Sequence, residues 1–141
     1  MSPELAPGIA HARRLVVGPD RTIGFMGEGF RVYATPSMVN DVEFTCRDFL
    51  VKFLSGEQDS VGARVEIDHL APTLLGMWAE IRIEITAIEK RRVTFSFQVH
   101  DAVEVVGRGI HARFIVDKPK TAERLAAKKI KASSVPGAFS D

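Results

Sequence analysis

The sequence of residues 35–54, TPSMVNDVEFTCRDFLVKFL, decides how this chain folds. Apolar side chains recur every three or four positions along it, which is the spacing of one helix face. Thr35 is the expected N-cap, Pro36 the first helical residue, and Gly56 the end signal. One long helix is therefore predicted from Pro36 to about Leu54, and its apolar face is formed by Val39, Val42, Cys46, Phe49, Leu50 and Phe53.

Glu43 lies within this apolar face. At about 100° per residue it projects close to Leu50. The other polar residues nearby are expected on the opposite side of the helix, namely Asn40, Asp41, Arg47 and Asp48. A carboxylate that faces a protein core has to be paired, neutral or part of a site. The alternative is a glutamate at the edge of the face whose carboxylate bends out to water, and position alone leaves both open.

Outside the helix the apolar period changes from 3.6 to 2, which predicts strands. They are expected at residues 13–17, 60–70, 77–88, 92–100 and 103–116, and a basic amphipathic helix is expected at 121–131. Because consecutive strands joined by short turns form antiparallel sheets, we predict an α+β fold with one long helix packed on a curved antiparallel sheet. The predicted organisation is a flexible leader at 1–12, a single domain at 13–132 and a C-terminal tail at 133–141.

Residues 21–31 combine three glycines with several apolar side chains. This composition indicates a mobile flap over a site. The glycines do not match a nucleotide-binding fingerprint, because no Lys-Ser/Thr pair follows them.

Strand alternation places His69 on the same face as Ala63, Val65 and Ile67. That face is expected to meet the helix, and Glu43 lies on the helix face expected to meet the strands. A lone core-facing histidine is more often a satisfied structural group than a catalyst. Glu43 and His69 together, on elements predicted to pack on each other, favour a functional site.

Composition and charge limit the remaining classes of function. A net charge of +1 does not call for nucleic acid or an acidic membrane surface as a partner. The single cysteine, Cys46, excludes an internal disulfide framework and is expected to be a small core residue. The sequence has no membrane-spanning apolar run, signal-peptide pattern or metal-ligand spacing, so we expect a cytoplasmic protein without a metal.

The order of elements resembles the hot-dog fold, in which a sheet wraps a long central helix. More closely, the chain resembles the fluoroacetyl-CoA thioesterase-like branch of the hot-dog thioesterases over about residues 14–128. Three motifs carry the resemblance in order and with matching gaps. They are Val32-Tyr33-Ala34-Thr35 with Met38-Val39 and Glu43; Gly62 with His69-Leu70-Ala71-Pro72-Thr73 and Gly76; and His100-Asp101 with Val103, Gly107, Gly109, His111 and Arg113.

This resemblance implies an acyl-CoA thioesterase with Thr35, Glu43 and His69 as its catalytic residues. It also implies that Gly62 presents its backbone to the acyl thioester and that Arg113 lies near the bound substrate. The expected partners are an acyl-CoA and a second copy of the chain, in a homodimer with sites at the interface. No cofactor is implied beyond the coenzyme A that forms part of the substrate. For Arg113, and equally for His100 and His111, the alternative is an exposed polar residue on a sheet.

Thioester hydrolysis suits these residue types. Glu43 could activate water as a general base or attack directly to form an anhydride, and His69 could act as acid/base or polarise the carbonyl. Thr35 could position water, bond Glu43 or act as the nucleophile.

In the family the flap region carries an aromatic lid linked to fluoroacyl selectivity. Phe25 or Phe30 could serve as that lid here, but Gly29 falls nearest the expected position, so a small or medium acyl group is predicted rather than fluoroacetate. The alternatives are a hot-dog hydratase or dehydratase, and a non-catalytic acyl-CoA binding module.

Overall fold

The computed structural model describes residues 4–139. In chain order, its strands and α-helices are β1 (Ala10–Val16), β2 (Thr22–Ile23), β3 (Val32–Tyr33), α1 (Thr35–Leu50), β4 (Gln58–His69), β5 (Trp78–Glu89), β6 (Arg92–His100), β7 (Val105–Asp117) and α2 (Lys118–Ser133). Short 3-10 turns occur at Pro19–Arg21, Glu28–Phe30 and Val51–Phe53. The α+β prediction is confirmed, with α1 packed on the large sheet.

The large sheet is antiparallel and has the strand order β1-β5-β6-β7-β4, while β2 and β3 form a separate pair. The expectation that all consecutive strands pair holds for β5, β6 and β7 but is wrong for β4, which pairs with β7. The segment 70–77 carries the chain from β4 past its neighbours to β5. As a result β4 is an edge strand, and within residues 4–139 its outer side has no strand partner.

The core lies between α1 and the concave face of the sheet. From α1 it contains Met38, Val42, Cys46, Phe49 and Leu50, and from the sheet mainly isoleucine, valine and phenylalanine side chains of β5 and β6. Each large apolar side chain buried in this way contributes about 1.5–3 kcal/mol. Cys46 is a fully buried core residue as predicted, and burial raises the pKa of its thiol to about 12.

The ends of several elements differ from the sequence prediction; α1, for example, ends at Leu50 rather than near Leu54, and a 3-10 turn follows it. Residues 10–12, predicted to be leader, already belong to β1 and pair with β5. Ala34 is the N-cap of α1 and makes no side-chain cap bond, so the N-cap prediction for Thr35 is wrong. Thr35 is instead the first residue of the helix, and its hydroxyl is free for another partner.

Asp41 was expected on the solvent side of α1 and is buried instead. Its carboxylate accepts hydrogen bonds from the Tyr33 hydroxyl and from Nε of Arg21, the latter at 2.9 Å. A charged group can be buried where it is paired and hydrogen-bonded. These bonds fasten both ends of the predicted flap to α1, since Arg21 is the first residue of the flap and Tyr33 lies just after its last residue.

The C-terminal helix α2 starts earlier than predicted, and none of its residues is buried. Among residues 4–139, no helix is long and apolar enough to cross a membrane. The first three residues of the predicted leader and the last two of the predicted tail lie outside the described residues.

Candidate active site

Thr35 and His69 form the first part of the candidate site. The hydroxyl oxygen of Thr35 lies 2.6 Å from Nδ1 of His69, where the start of α1 meets the end of β4. Burial lowers the pKa of His69, which favours the neutral imidazole. Its other ring nitrogen, Nε2, is buried and has no hydrogen-bond partner among the described residues. Because buried polar atoms are normally satisfied, this nitrogen indicates a place for a ligand or water.

Beside this pair lies an apolar groove of about 620 Å³. Its walls come from the flap, from β3 and from the loop after β4, and it is lined by Ile23, Phe25, Met26, Phe30, Val32, Tyr33, Thr35, His69, Leu70, Ala71, Pro72 and Leu74. Three of the flap side chains, Phe25, Met26 and Phe30, are largely exposed. The segment predicted as a flap therefore does line a cavity next to Thr35 and His69.

The base of the flap is closed by Arg31. Its Nε donates to the Thr22 hydroxyl at 2.8 Å and its Nη2 to the Thr22 carbonyl at 3.2 Å. A Cβ atom at Gly24 would lie 2.6 Å from Nη1 of Arg31, so glycine allows this close approach. A Cβ at Gly29, in contrast, would meet nothing within 4 Å, so the flap has open space at that position.

The loop that follows His69 is held by a buried carboxylate. Asp101 accepts hydrogen bonds from the Thr73 hydroxyl at 3.0 Å and from the backbone amides of Val103 and Glu104 at 2.8 and 3.0 Å. The amide of Leu70 in turn donates to the Val106 carbonyl at 2.7 Å. The His100-Asp101 motif thus supports the groove wall beside His69 through Asp101.

Glu43 belongs to a second group of residues, in a cavity of about 250 Å³ that it shares with Phe44, Arg47, Ser60, Gly62 and Arg113. Glu43 is half-buried and faces β4. A Cβ atom at Gly62 would lie 3.0 Å from Oε1 of Glu43, 3.6 Å from Cε1 of His111 and 3.8 Å from Nη1 of Arg113. Because Gly62 has no side chain, a space remains there, and the side chains of Glu43, His111 and Arg113 surround it.

Arg113 and His111 are buried, and the reading of both as exposed sheet residues is wrong. Only 6% of Arg113 and none of His111 is accessible to solvent. Arg113 donates from Nε to the Ser60 hydroxyl at 2.7 Å and from Nη2 to the Ser60 carbonyl at 2.8 Å. These internal partners make burial of the guanidinium possible.

The two groups are not in contact within one chain. Glu43 follows Thr35 by more than two turns of α1, about 12 Å at 1.5 Å per residue. Gly62 precedes His69 by seven strand residues, about 23 Å at 3.3 Å per residue. Because β4 runs antiparallel to α1, Thr35 meets His69 at one end of the pair of elements and Glu43 meets Gly62 further along. Among the described residues, no group of three or more potential metal ligands occurs.

Comparison with known proteins assigns the chain to a protein family. A family model described as fluoroacetyl-CoA-specific thioesterase matches residues 17–119, which is well over half of the sequence. The chain belongs to this family. Its enzyme class is accordingly thioester hydrolase.

Relatives and solved structures agree with this assignment. The fluoroacetyl-CoA thioesterase of Streptantibioticus cattleyicolor is 28% identical over 112 residues, covering 74% of this chain and 81% of the relative. The structure of a Thermus thermophilus thioesterase superfamily member is 27% identical and superposes with a TM-score of 0.84, over 96% of this chain and 100% of that one. A variant of the fluoroacetyl-CoA-specific thioesterase FlK, in complex with fluoroacetate and CoA, is 26% identical with a TM-score of 0.76, over 83% and 99%. The hot-dog fold implied by the sequence is confirmed.

The sequence did not single out Ser60, and it did not predict that His111 and Arg113 are buried. One signal was present. Gly107 and Gly109 share a strand face with His111 and Arg113, and glycines in a strand often mark the close approach of another element. A Cβ at Gly107 would lie 2.6 Å from Sδ of Met38 on α1, so this is the face that packs against the helix.

Proposed function

We propose that this protein hydrolyses small or medium acyl-CoA thioesters to the free acid and coenzyme A, with Thr35, Glu43 and His69 as its catalytic residues. The observation that carries the proposal is the hydrogen-bonded pair of Thr35 and His69, whose unpaired Nε2 lies beside an apolar groove. Thioester hydrolysis needs both an apolar groove and polar groups beside it. The groove binds the apolar acyl chain, and the polar groups polarise the carbonyl and assist the attack on it. Membership of a thioesterase family supports the same reaction.

The complete site is proposed to need a second copy of the chain. β4 is a sheet edge, and the exposed apolar side chains Val61, Val65 and Phe44 lie on it and on the adjoining helix. Long exposed edges of this kind are normally covered. Antiparallel pairing of two β4 strands about a two-fold axis near Val65 would put Gly62 opposite the partner's His69. Glu43 of one subunit would then approach the Thr35–His69 pair of the other.

The proposed reaction adds water across the thioester carbon–sulfur bond. Glu43 either removes a proton from the attacking water or attacks the carbonyl itself to form an anhydride that water then opens. His69 and Thr35 polarise the carbonyl or deliver the proton that the departing thiolate takes up. Gly62 presents backbone to the acyl thioester, and Arg113 lies close enough to Glu43 to bind the carbonyl oxygen or the carboxylate product.

The acyl preference is proposed to be broader than that named for the relatives. The groove is lined almost entirely by apolar side chains and extends under the flap tip. A Cβ at Gly29 would meet nothing within 4 Å, so no bulky contact is present at the flap position nearest the family's aromatic lid. A linear acyl chain fits this lining without any fluorine-specific contact.

A thiol-release assay tests the proposal with acetyl-, fluoroacetyl-, butyryl-, hexanoyl-, octanoyl- and crotonyl-CoA. We expect release of free thiol, with kcat/KM higher for butyryl- or hexanoyl-CoA than for fluoroacetyl-CoA. Loss of the crotonyl double bond without thiol release would indicate a hydratase instead. Saturable binding of acyl-CoA with no release from any substrate would indicate a binding module, and either result would overturn the thioesterase proposal.

A further inference from the structure

We propose that His111, to which the resemblance gives no role, is a positioning residue that aims the Arg113 guanidinium at the cavity beside Glu43. The inference rests on the proposed thioesterase function for its consequence in catalysis. Its structural content, the protonation and contacts of His111, can be tested without turnover.

The contacts of His111 determine where its proton sits. Nδ1 lies 2.8 Å from the backbone carbonyl oxygen of Arg64, and a carbonyl oxygen only accepts hydrogen bonds. Nδ1 therefore carries a hydrogen. Nε2 lies 3.2 Å from Nη1 of Arg113, and a guanidinium only donates. Nε2 must accordingly present its lone pair, so His111 is a neutral imidazole with its proton on Nδ1.

In this tautomer His111 accepts a hydrogen bond from Nη1, which holds one side of the Arg113 guanidinium in place. Nε and Nη2 of Arg113 fork onto the hydroxyl and carbonyl oxygens of Ser60 at 2.7 and 2.8 Å, and Nη1 donates to His111. A guanidinium has five N–H groups. The two that are left, one on Nη1 and one on Nη2, have no hydrogen-bond acceptor among residues 4–139. The contacts with Ser60 and His111 together fix the orientation of the planar Arg113 guanidinium. The directions of its two remaining N–H groups are therefore fixed as well.

Arg113 lines a cavity together with Glu43 and Gly62, and we place its two remaining donors there. The Glu43 carboxylate and Nη1 of Arg113 both lie within 4 Å of the point where a Cβ at Gly62 would be, yet no direct ion pair joins them. An oxygen atom of a bound molecule placed between these two groups would accept a hydrogen bond from Arg113 and would lie beside the Glu43 carboxylate. His111 touches neither this oxygen nor Glu43 through a hydrogen bond, so it acts through Arg113.

His111 also links this arrangement to the sheet edge. The register of β4 and β7 shifts between Gly62 and Arg64, which marks a bulge. The bond from His111 to the Arg64 carbonyl ties the far side of this bulge to the strand that carries Arg113. His111 therefore sets the position of Arg113 relative to Gly62, where the acyl thioester is proposed to bind.

Two variants separate the hydrogen bonds of His111 from its bulk. His111→Gln keeps one acceptor and one donor, and His111→Leu keeps the apolar volume and removes both. We expect kcat for His111→Leu to fall about tenfold to a hundredfold, as for a buried hydrogen bond to a charged group, with a smaller change in KM. His111→Gln should recover most of the activity. His11→Leu, on β1 and away from the site, is the matched control and should leave kcat unchanged.

A double-mutant cycle with Arg113→Lys shows whether His111 acts through Arg113. We expect His111→Leu to have little further effect in the Arg113→Lys background. A full additional loss there would mean that His111 acts independently, and normal kcat for His111→Leu would mean that it does not act at all. Either result would overturn the inference.

Nitrogen NMR of the imidazole in the unsubstituted protein at neutral pH provides a test that does not depend on activity or on the folding of variants. We expect Nδ1 protonated and Nε2 unprotonated for His111. A proton on Nε2, or an imidazolium, would contradict the inference. If no acyl-CoA is hydrolysed, the proposed function fails while this measurement still decides the contacts of His111.

Discussion

The hydroxyl oxygen of Thr35 and Nδ1 of His69 lie 2.6 Å apart although 34 positions separate the two residues in the chain. The contact joins the first residue of α1 to the last residue of β4. Because Thr35 makes no N-cap bond, its hydroxyl serves His69 rather than the helix. The hydrogen bond holds the imidazole so that its buried Nε2 remains available to a bound molecule.

Replacing Thr35 tests the function of this contact. Thr35→Val keeps the shape and removes the hydroxyl, so we expect kcat for acyl-CoA hydrolysis to fall about a hundredfold, in the range for a misplaced acid/base group. Thr35→Ser should keep most of the activity. Steady-state thiol release measures both, and Thr86→Val, on the exposed side of β5, serves as control. Full activity of Thr35→Val would exclude a catalytic part for the hydroxyl.

Glu43→Gln removes the carboxylate and keeps the side-chain volume. We expect thiol release to become undetectable under either role proposed for Glu43, while circular dichroism and the oligomeric state stay unchanged. Glu57→Gln, an exposed residue before β4, is the matched control. If Glu43→Gln hydrolyses acyl-CoA normally, Glu43 is not part of the site.

A mixing experiment tests whether one site uses two chains. Glu43→Gln and His69→Asn proteins, each inactive alone, are unfolded together, refolded and assayed. If Glu43 works with the partner's His69, half of the molecules are mixed dimers with one intact site each, and activity returns to about one quarter of the original. Size-exclusion chromatography with light scattering establishes the dimer. No recovery in a mixture that does contain mixed dimers would place Glu43 and His69 in the same chain's site.

Much of this arrangement follows from the sequence. The apolar spacing of residues 35–54 predicted α1, and the change to period 2 predicted the strands of the sheet, because both patterns reflect burial of one face. The meeting of β4 with α1 near His69 also followed from alternation. The position of β4 at the edge did not, because the length of segment 70–77 does not specify which strand the chain pairs with next.

The burial of His111 and Arg113 could not be read from alternation either. Polar residues on one face of a strand normally indicate solvent, and here the other face carries the apolar side chains of Ile110 and Ala112. What permits burial is a set of partners distant in sequence, the Ser60 side chain and the Arg64 carbonyl. A hydrogen-bonded buried group has no signature in hydropathy, so Gly107 and Gly109 on the same strand face give only an indirect sign of it in the sequence.

Two glycine substitutions distinguish the site from the scaffold. At Gly62 a Cβ would lie 3.0 Å from the Glu43 carboxylate, the mobile end of a side chain. We expect Gly62→Ala to fold with nearly unchanged stability. Its kcat should fall about tenfold, because the Glu43 carboxylate must move away from the added methyl group. At Gly109 a Cβ would lie 1.8 Å from the backbone oxygen of Glu66, so Gly109→Ala should be strongly destabilised. Urea unfolding and thiol release measure both, and an unstable Gly62→Ala with normal turnover would contradict the assignment.

The stability of the fold should decrease in mild acid. Burial lowers the pKa of His69 and of His111 from the ordinary value of 6.5. For His111, the hydrogen bond with the Arg64 backbone opposes this lowering of the pKa, the positive charge of Arg113 adds to it, and the Glu43 carboxylate opposes it. Because the unfolded chain takes up protons at a higher pH than the folded chain, the free energy of unfolding falls as pH drops below about 6.5, until the folded pKa values are passed.

Urea unfolding at pH 7.5, 6.5 and 5.5 measures this decrease through the denaturation midpoint. Paired carboxylates such as Asp48 and Asp59 have pKa values lowered by neighbouring arginines, so they remain charged throughout this interval. The decrease is therefore attributable to histidines. The decrease in the denaturation midpoint should be smaller in His111→Gln. The glutamine amide is a neutral hydrogen-bond partner for Arg113 and takes up no proton in this pH range. A midpoint that rises on acidification, or one that falls equally in both proteins, would mean that His111 is not held neutral in the fold.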